Sequence, residues 1–377
     1  MLDGSRTALL TASLLVLLVA CGTQPQPDEG TAKEAQSITF DALRDRLTTD
    51  PPFELVATAT SGLAVSFTAT GACSVDAATA TLAGVVGDCS ITASQLGDDA
   101  YLAADDVVRT FTVDEPPIRQ VGFVLLSETG PSDARVVDGS GTFVERDEPL
   151  EASFGEDPFG DSIGTCSVTT ASASSGDPSP SPDTSGTPIA AGASLTVRDV
   201  AATYATLVAD GVGSYVLDGD ASAALPTSGL ALDVPGETFP RYLGASFVAT
   251  APLAFDAGFD PGSLTADTTF AWQGTGLDTS VVLLIGGDGD TVVSCIVPDD
   301  GDYGFDADTR AALDAAGYTT GSLQAAGRLS VTAHRQADAI LLLGALRLTS
   351  YESVGPAALL RTLAHRAVQL EPAETTD

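Results

Sequence analysis

Phe53-Glu-Leu-Val-Ala-Thr-Ala-Thr-Ser-Gly-Leu-Ala-Val-Ser-Phe67 decides the fold. Phe53, Leu55, Ala57 and Ala59 alternate with Glu54, Val56, Thr58 and Thr60, and after Ser61-Gly62 the alternation resumes at Leu63, Val65 and Phe67. Successive side chains on a strand point to opposite faces, so a period of two predicts short strands with one buried face. The Ser-Gly break between two such runs marks a turn. The pattern returns at Cys73-Ser-Val75, Cys89-Ser-Ile-Thr-Ala93 and Phe111-Thr-Val113. Cys73 and Cys89 fall on its apolar phase, so both point into one core and favour a buried cross-strand link.

Together with Ser37-Ile-Thr-Phe-Asp-Ala-Leu43 and Gly87-Asp-Cys-Ser-Ile-Thr-Ala-Ser-Gln95, these runs resemble a bacterial immunoglobulin-like repeat over residues 37–113 of the 377. Such repeats occur in exported bacterial proteins, often in tandem. The resemblance implies an immunoglobulin-like β-sandwich at 37–115, a spacer or adhesive module without catalysis. A single copy is present, which weakens a long-stalk role.

Upstream, Leu14-Leu-Val-Leu-Leu-Val-Ala-Cys-Gly22 ends an apolar stretch that starts near Leu9 and follows Arg6. It is shorter than the roughly 20 residues a spanning helix needs and has the form of an export signal. Leu18-Val-Ala-Cys21 resembles the lipobox of bacterial lipoproteins. The resemblance implies cleavage after residue 20, thioether lipidation of Cys21 and an extracytoplasmic, lipid-anchored place in the cell envelope. Residues 21–36 are polar and contain prolines, as a solvated tether should.

The composition has 51 acidic and 16 basic residues, a net charge of −35, and Lys33 is the sole lysine. Excising residues 1–20 removes Asp3 and Arg6, one of each sign, so that balance persists. A charge of this sign repels phosphate backbones and excludes nucleic acid as a partner held by electrostatics. With 44% hydrophobic residues, the chain can still bury a sizeable core.

After Asp114-Glu-Pro-Pro117, residues 117–352 hold many short strand signals separated by Asp-Gly, Pro-Gly and Gly-Gly turns. They predict a second, larger β-sandwich or jelly-roll-like domain, so the fold class is all-β. Among the expected strands are Gln120–Leu126, Ser214–Leu217, Leu230–Val234, Ser280–Ile285, Arg328–Thr332 and Ile340–Thr349. One helix is expected at Asp308–Ala316, and an amphipathic helix and tail over 353–377. Residues 172–192 form a low-complexity, proline-bearing loop.

Removing Cys21 from five cysteines leaves four, an even number suited to an oxidising compartment. Of the three connectivities, the local pair Cys73–Cys89 with the distant pair Cys166–Cys295 is preferred. Zinc is poorly served: no Cys-x-x-Cys occurs, and the histidines are His334 and His365.

Catalytic motifs are sparse. Gly160-Asp-Ser-Ile163 is similar to the Gly-Asp-Ser block of a lipase and esterase family, but neither His334 nor His365 follows an aspartate at the spacing that family uses. Asp288, Asp290, Asp299, Asp300 and Asp302 are candidate calcium ligands, because Ca²⁺ takes six to eight oxygens from flexible acidic loops. Neither an EF-hand nor a β-roll repeat is complete there, and acidic turns between strands account for the same residues. No other cofactor is implied. Trp272 is expected in the core, while Tyr303 and Tyr318 are candidates for an aromatic surface. The expectation is a non-catalytic binding or scaffolding module that engages polysaccharide or an envelope protein. The alternative is a carboxylate-dependent glycan-active or metal-assisted enzyme in the second domain.

Overall fold

The computed structural model describes residues 32–130, 135–150, 159, 162–170, 186–199, 202–219, 224–227, 229–350, 363–364 and 367–368. Cys21, the signal stretch, most of the low-complexity loop and His365 lie outside them. The described chain forms two compact units. Residues 32–44, 52–81 and 88–111 make the first; residues 45–51, 82–87 and 112 onward make the second. The boundary expected at 115–117 is therefore interleaved. Asp45 accepts from the Thr112 N–H at 2.8 Å, and Arg46 and Leu47 pair in parallel with Val113 and Asp114, which ties that short segment to the second unit.

Nine short strands come first among the described residues: β1 (Ile38–Phe40), β2 (Arg46–Leu47), β3 (Phe53–Glu54), β4 (Ala57–Ala59), β5 (Ser66–Gly71), β6 (Cys73–Asp76), β7 (Thr79–Leu82), β8 (Gly87–Ser94) and β9 (Val107–Asp114). The expected alternation is present: on β8, Cys89, Ile91 and Ala93 are fully buried while Ser90, Thr92 and Ser94 are not. Cys73 on β6 joins Cys89 on β8 in a disulfide. Gly71 pairs with Cys89 at a φ of +92°, and a Cβ there would lie 2.0 Å from the Asp88 carbonyl, so only glycine fits. The packed chain also begins earlier than the tether reading placed it. Glu34 bridges Tyr101 and exchanges backbone hydrogen bonds with Ala100 and Leu102, both at 2.8 Å.

The second unit is dominated by one 13-stranded sheet. Its strands are β10 (Ile118–Thr129), β11 (Val136–Leu150), β12 (Thr165–Thr170), β13 (Thr187–Pro188), β14 (Ser194–Arg198), β15 (Thr203–Gly211), β16 (Ser214–Leu217), β17 (Leu230–Val234) and β18 (Tyr242–Phe247). Beyond β19 (Thr269–Ala271) come β20 (Ser280–Gly287) and β21 (Thr291–Pro298). After β22 (Asp302–Gly304) and the helix α1 (Ala307–Ala315), β23 (Ser322–Gln336) and β24 (Ala339–Ser350) complete it. The order is β12-β21-β20-β23-β24-β10-β11-β16-β15-β14-β17-β18, with β13 on β11; β19 and β22 pair separately. All-β and sandwich-like, it matches the class the turn-punctuated strands predict.

The β10–β24 pair is parallel, and parallel strands are normally covered on both faces. Here Val121, Phe123, Leu125, Ile340 and Leu342 fill one core, while Val124, Leu126, Leu341 and Leu343 fill another. That is why these runs are continuously apolar where those of the first unit alternate. The sheet turns back on itself: Ser330 on β23 donates to the Val248 carbonyl just past β18 at 2.6 Å. A third core, under Phe270, Trp272 and Phe305, uses the other face of β20. α1 starts at Ala307, one residue before the expected Asp308, and Asp306 caps it by accepting from the Thr309 N–H at 2.7 Å. Leu363, Ala364, Ala367 and Val368 of the C-terminal helix bury against the first of these cores. The low-complexity loop is less open than expected at its end, where Ile189 and Ala191 are core residues.

Candidate functional site

The β20–β21 hairpin sets where the acidic candidates go. Val281 pairs with Pro298 at one end and Gly287 with Val292 at the other. Asp288 and Asp290 thus sit in the connecting turn, about 20 Å along the strands from Asp299 and Asp300. Asp302 lies on β22 opposite Ala271. Among the described residues no three His, Cys, Asp or Glu side chains gather around a common metal position. The five calcium candidates therefore do not form one site.

Two of the five, Asp288 and Asp299, have structural roles. Asp288 accepts from the Asp290 and Thr291 N–H groups at 3.0 and 2.7 Å, closing the turn. Asp299 is the hub of a buried network at 3% exposure. Its Oδ1 accepts from Trp272 Nε1 at 2.9 Å and Arg328 Nη2 at 3.0 Å. Its Oδ2 accepts from Thr275 Oγ1 at 2.7 Å and Ser280 Oγ at 2.8 Å, and lies 2.8 Å from Arg328 Nε. A carboxylate offers about four acceptor positions, so none is left on Asp299 for a cation.

This network supports a concave site. A cleft of about 410 Å³ is lined by Ile163, Leu277, Asp278, Ser280, Asp299 and Asp300. The Asp299 carbonyl accepts from Thr275 N at 3.0 Å and Gly276 N at 3.2 Å, holding the loop that carries Leu277 and Asp278. Gly274 begins that loop, and a Cβ on it would meet the Asp300 backbone at 2.5 Å. Asp278 and Asp300 are exposed, whereas Asp299 is neutralised by Arg328. The cleft thus presents two free-facing carboxylates beside an apolar wall, a surface suited to accepting hydrogen bonds from hydroxyl-rich or cationic ligands.

Other candidates are accounted for structurally. Ser162 is buried and donates to the Ala367 carbonyl at 2.7 Å, tying the C-terminal helix down. His334 Nε2 lies 2.7 Å from the Ser246 carbonyl, which can only accept, so Nε2 carries the proton. Trp272 is in the core, as expected. Tyr318 is buried rather than on an aromatic surface, and Tyr303 is half-buried with its hydroxyl 3.1 Å from Cys166 Sγ. Cys166 and Cys295 are register partners on β12 and β21 and form the second disulfide. Arg328, Asp278, Ser280 and Thr275 escaped sequence reading. The one available signal was a lone arginine amid small and apolar residues in Ala325-Ala-Gly-Arg-Leu329.

Burial, and secondarily the Asp288 carboxylate, push the Tyr318 phenol up to about 12 from its ordinary value. A group whose folded value is raised contributes stability that is complete below its unfolded value near 10 and is lost as the pH rises through the folded value. Denaturation midpoints are expected to fall between about pH 10 and 12, with a smaller fall in Tyr318→Phe. Equal slopes in the two proteins would remove Tyr318 from that account. No known protein family matches the sequence, and no curated protein matches it.

Proposed function

We propose that the protein is a lipid-anchored cell-envelope protein whose β-rich units bind or scaffold without catalysis. One observation carries this reading: four of the five cysteines are joined as Cys73–Cys89 and Cys166–Cys295, which leaves over Cys21, the cysteine at the end of the apolar stretch. Paired thiols suit an oxidising compartment, and a thiol excluded from the pairing is available for lipid. Two acyl chains at that position give stable membrane attachment. The cleft with Asp278 and Asp300 is the binding surface, and a hydroxyl-rich polysaccharide is the ligand its acceptors fit.

Expressed as the full chain in a bacterial host, the protein is expected in the membrane fraction with an N-terminal lipidated cysteine by mass spectrometry. Cys21→Ser is expected in the soluble fraction. An unmodified Cys21 in the wild type, or membrane retention of Cys21→Ser, would overturn the anchor. A carboxylate-dependent glycan-active enzyme is the second reading, favoured by the same pair of exposed carboxylates in one cleft. Release of reducing sugar that disappears in Asp278→Asn or Asp300→Asn would establish it in place of the first.

A further inference from the structure

A second recess on the same unit has the opposite chemistry. It measures about 490 Å³ and is lined by Arg241, Leu243, Gly244, His334, Arg335 and Gln336 among others, with no acidic side chain in its wall. In a chain with 51 acidic and 16 basic residues, two arginines and a histidine converging on one hollow run against the general charge.

A bulge builds it. Leu232 pairs with Ala245 but Val234 pairs with Tyr242, so Leu243 and Gly244 of β18 face the single residue Asp233 of β17. Gly244 takes a φ of +67°, and Leu243 is turned outward at 63% exposure. Bulges re-aim side chains in this way next to functional sites. Asp233 sits at the bulge, but its oxygens are already occupied. Oδ1 accepts from Gly244 N at 2.7 Å and Arg198 Nη2 at 2.8 Å, and Oδ2 lies 2.7 Å from Arg198 Nε. That arginine, through its hydrogen bond, holds Asp233 below the usual carboxylate range.

Arg241 is therefore left over. It is exposed, and among the described residues it makes no hydrogen bond or ion pair of its own; Asp233 feels it only at longer range. Arg335 across the recess pairs with Glu115 at 2.7 Å and donates to the Pro116 carbonyl, which fixes its guanidinium. His334 is oriented by the Ser246 carbonyl, and its Nδ1 remains. Glu115 already matches the charge of Arg335, so the unpaired Arg241 guanidinium, beside the oriented His334 imidazole, is the group that makes the recess an anion receptor. The exposed Leu243 side chain adds an apolar rim suited to a sugar ring.

We infer that this recess binds an anionic saccharide unit, its carboxylate or phosphate held by Arg241. The site is separate from the Asp278 cleft and does not depend on the anchor. Calorimetry with the full chain would use polygalacturonate for the carboxylate source, a glycerol-phosphate polymer for the phosphate source, and dextran as the neutral control. One of the two anionic polymers is expected to bind, more weakly as salt is raised. Arg241→Ala is expected to cut that affinity by about ten- to a hundredfold, the loss of one charge-assisted contact. Arg241→Lys retains part of it, and Arg310→Ala on α1 leaves it unchanged. Circular dichroism confirms that Arg241→Ala is folded. No binding of either anionic polymer, or undiminished binding by Arg241→Ala, would overturn the inference. Dextran binding that Arg241→Ala does not alter belongs to the Asp278 cleft, so its absence would count against that cleft's polysaccharide reading and not against the recess.

Discussion

Replacing Arg328 with alanine is expected to lower the stability of the second unit by about 3–5 kcal/mol, the range for removing one partner of a buried ion pair. The side chains of Arg328 and Asp299 are 4% and 0% exposed, so water cannot take the place of the lost cation. Asp299 would keep its hydrogen bonds from Trp272, Thr275 and Ser280 but lose the guanidinium that neutralises it. The Ala251 and Gln273 carbonyls, which accept from Arg328 at 3.0 and 2.6 Å, would lose their donor too. Arg328→Lys should recover only part of the loss, because a point charge cannot span the carboxylate and two carbonyls. The double variant Asp299→Leu, Arg328→Met should recover little, since it orphans the Trp272 N–H and two hydroxyls. The check is the urea midpoint at unchanged m-value; a loss below about 1 kcal/mol would show the pair to be dispensable.

The pair formed by Glu128 and Arg347 is equally buried, at 5% and 4% exposure, yet its truncation should cost less. Burial pulls Arg347 below its ordinary value, and the neighbouring Glu128 carboxylate opposes that. Glu128 also holds Arg135 at 2.5 Å and accepts from Leu225 N at 2.6 Å. Losing Arg347 therefore leaves Glu128 with a cation, whereas losing Arg328 leaves Asp299 with none in its network.

Such differences explain what the sequence could and could not disclose. Strand signals depend on neighbours along the chain, and they located Ser214–Leu217 and Leu230–Val234 to the residue. They gave only part of β23, whose first half, Ser322-Leu-Gln-Ala-Ala-Gly327, lacks the β-branched residues that mark strands. Small residues are used there because both faces are covered, and coverage is a tertiary fact. β15 was missed although Ala205 and Leu207 are buried on one face. Its C-terminal end, Ala209-Asp-Gly, carries a turn signal although it belongs to the strand. The same limit applies to the site. Asp299 stood out as an acid in an acidic run, but its role depends on Trp272 and Arg328, 27 and 29 residues away. Counting carboxylates could not reveal that one of them was already neutralised. Counting cysteines could suggest pairing, because disulfides leave few combinations once Cys21 is set aside.

Those disulfides carry the last large effect. Closing the 129-residue separation between Cys166 and Cys295 is worth roughly 5 kcal/mol in chain entropy, against about 3 for the 16-residue separation of Cys73 and Cys89. The structure adds a reason for the longer link to matter. Among the described residues β12 ends the large sheet and pairs only with β21, so Cys166–Cys295 pins a strand whose hydrogen bonds there come from one side. Trp272, the sole tryptophan, is 4% exposed in the second unit and reports that unit's unfolding. In Cys166→Ala, Cys295→Ala its fluorescence transition is expected to fall by several kcal/mol. In Cys73→Ala, Cys89→Ala the same transition should stay within about 0.5 kcal/mol, because the two disulfides lie in different units and share no partner. Backbone dichroism, which sees both units, should then lose an early component that Trp272 does not follow. Equal shifts of the tryptophan signal in both variants would mean that the two units unfold as one.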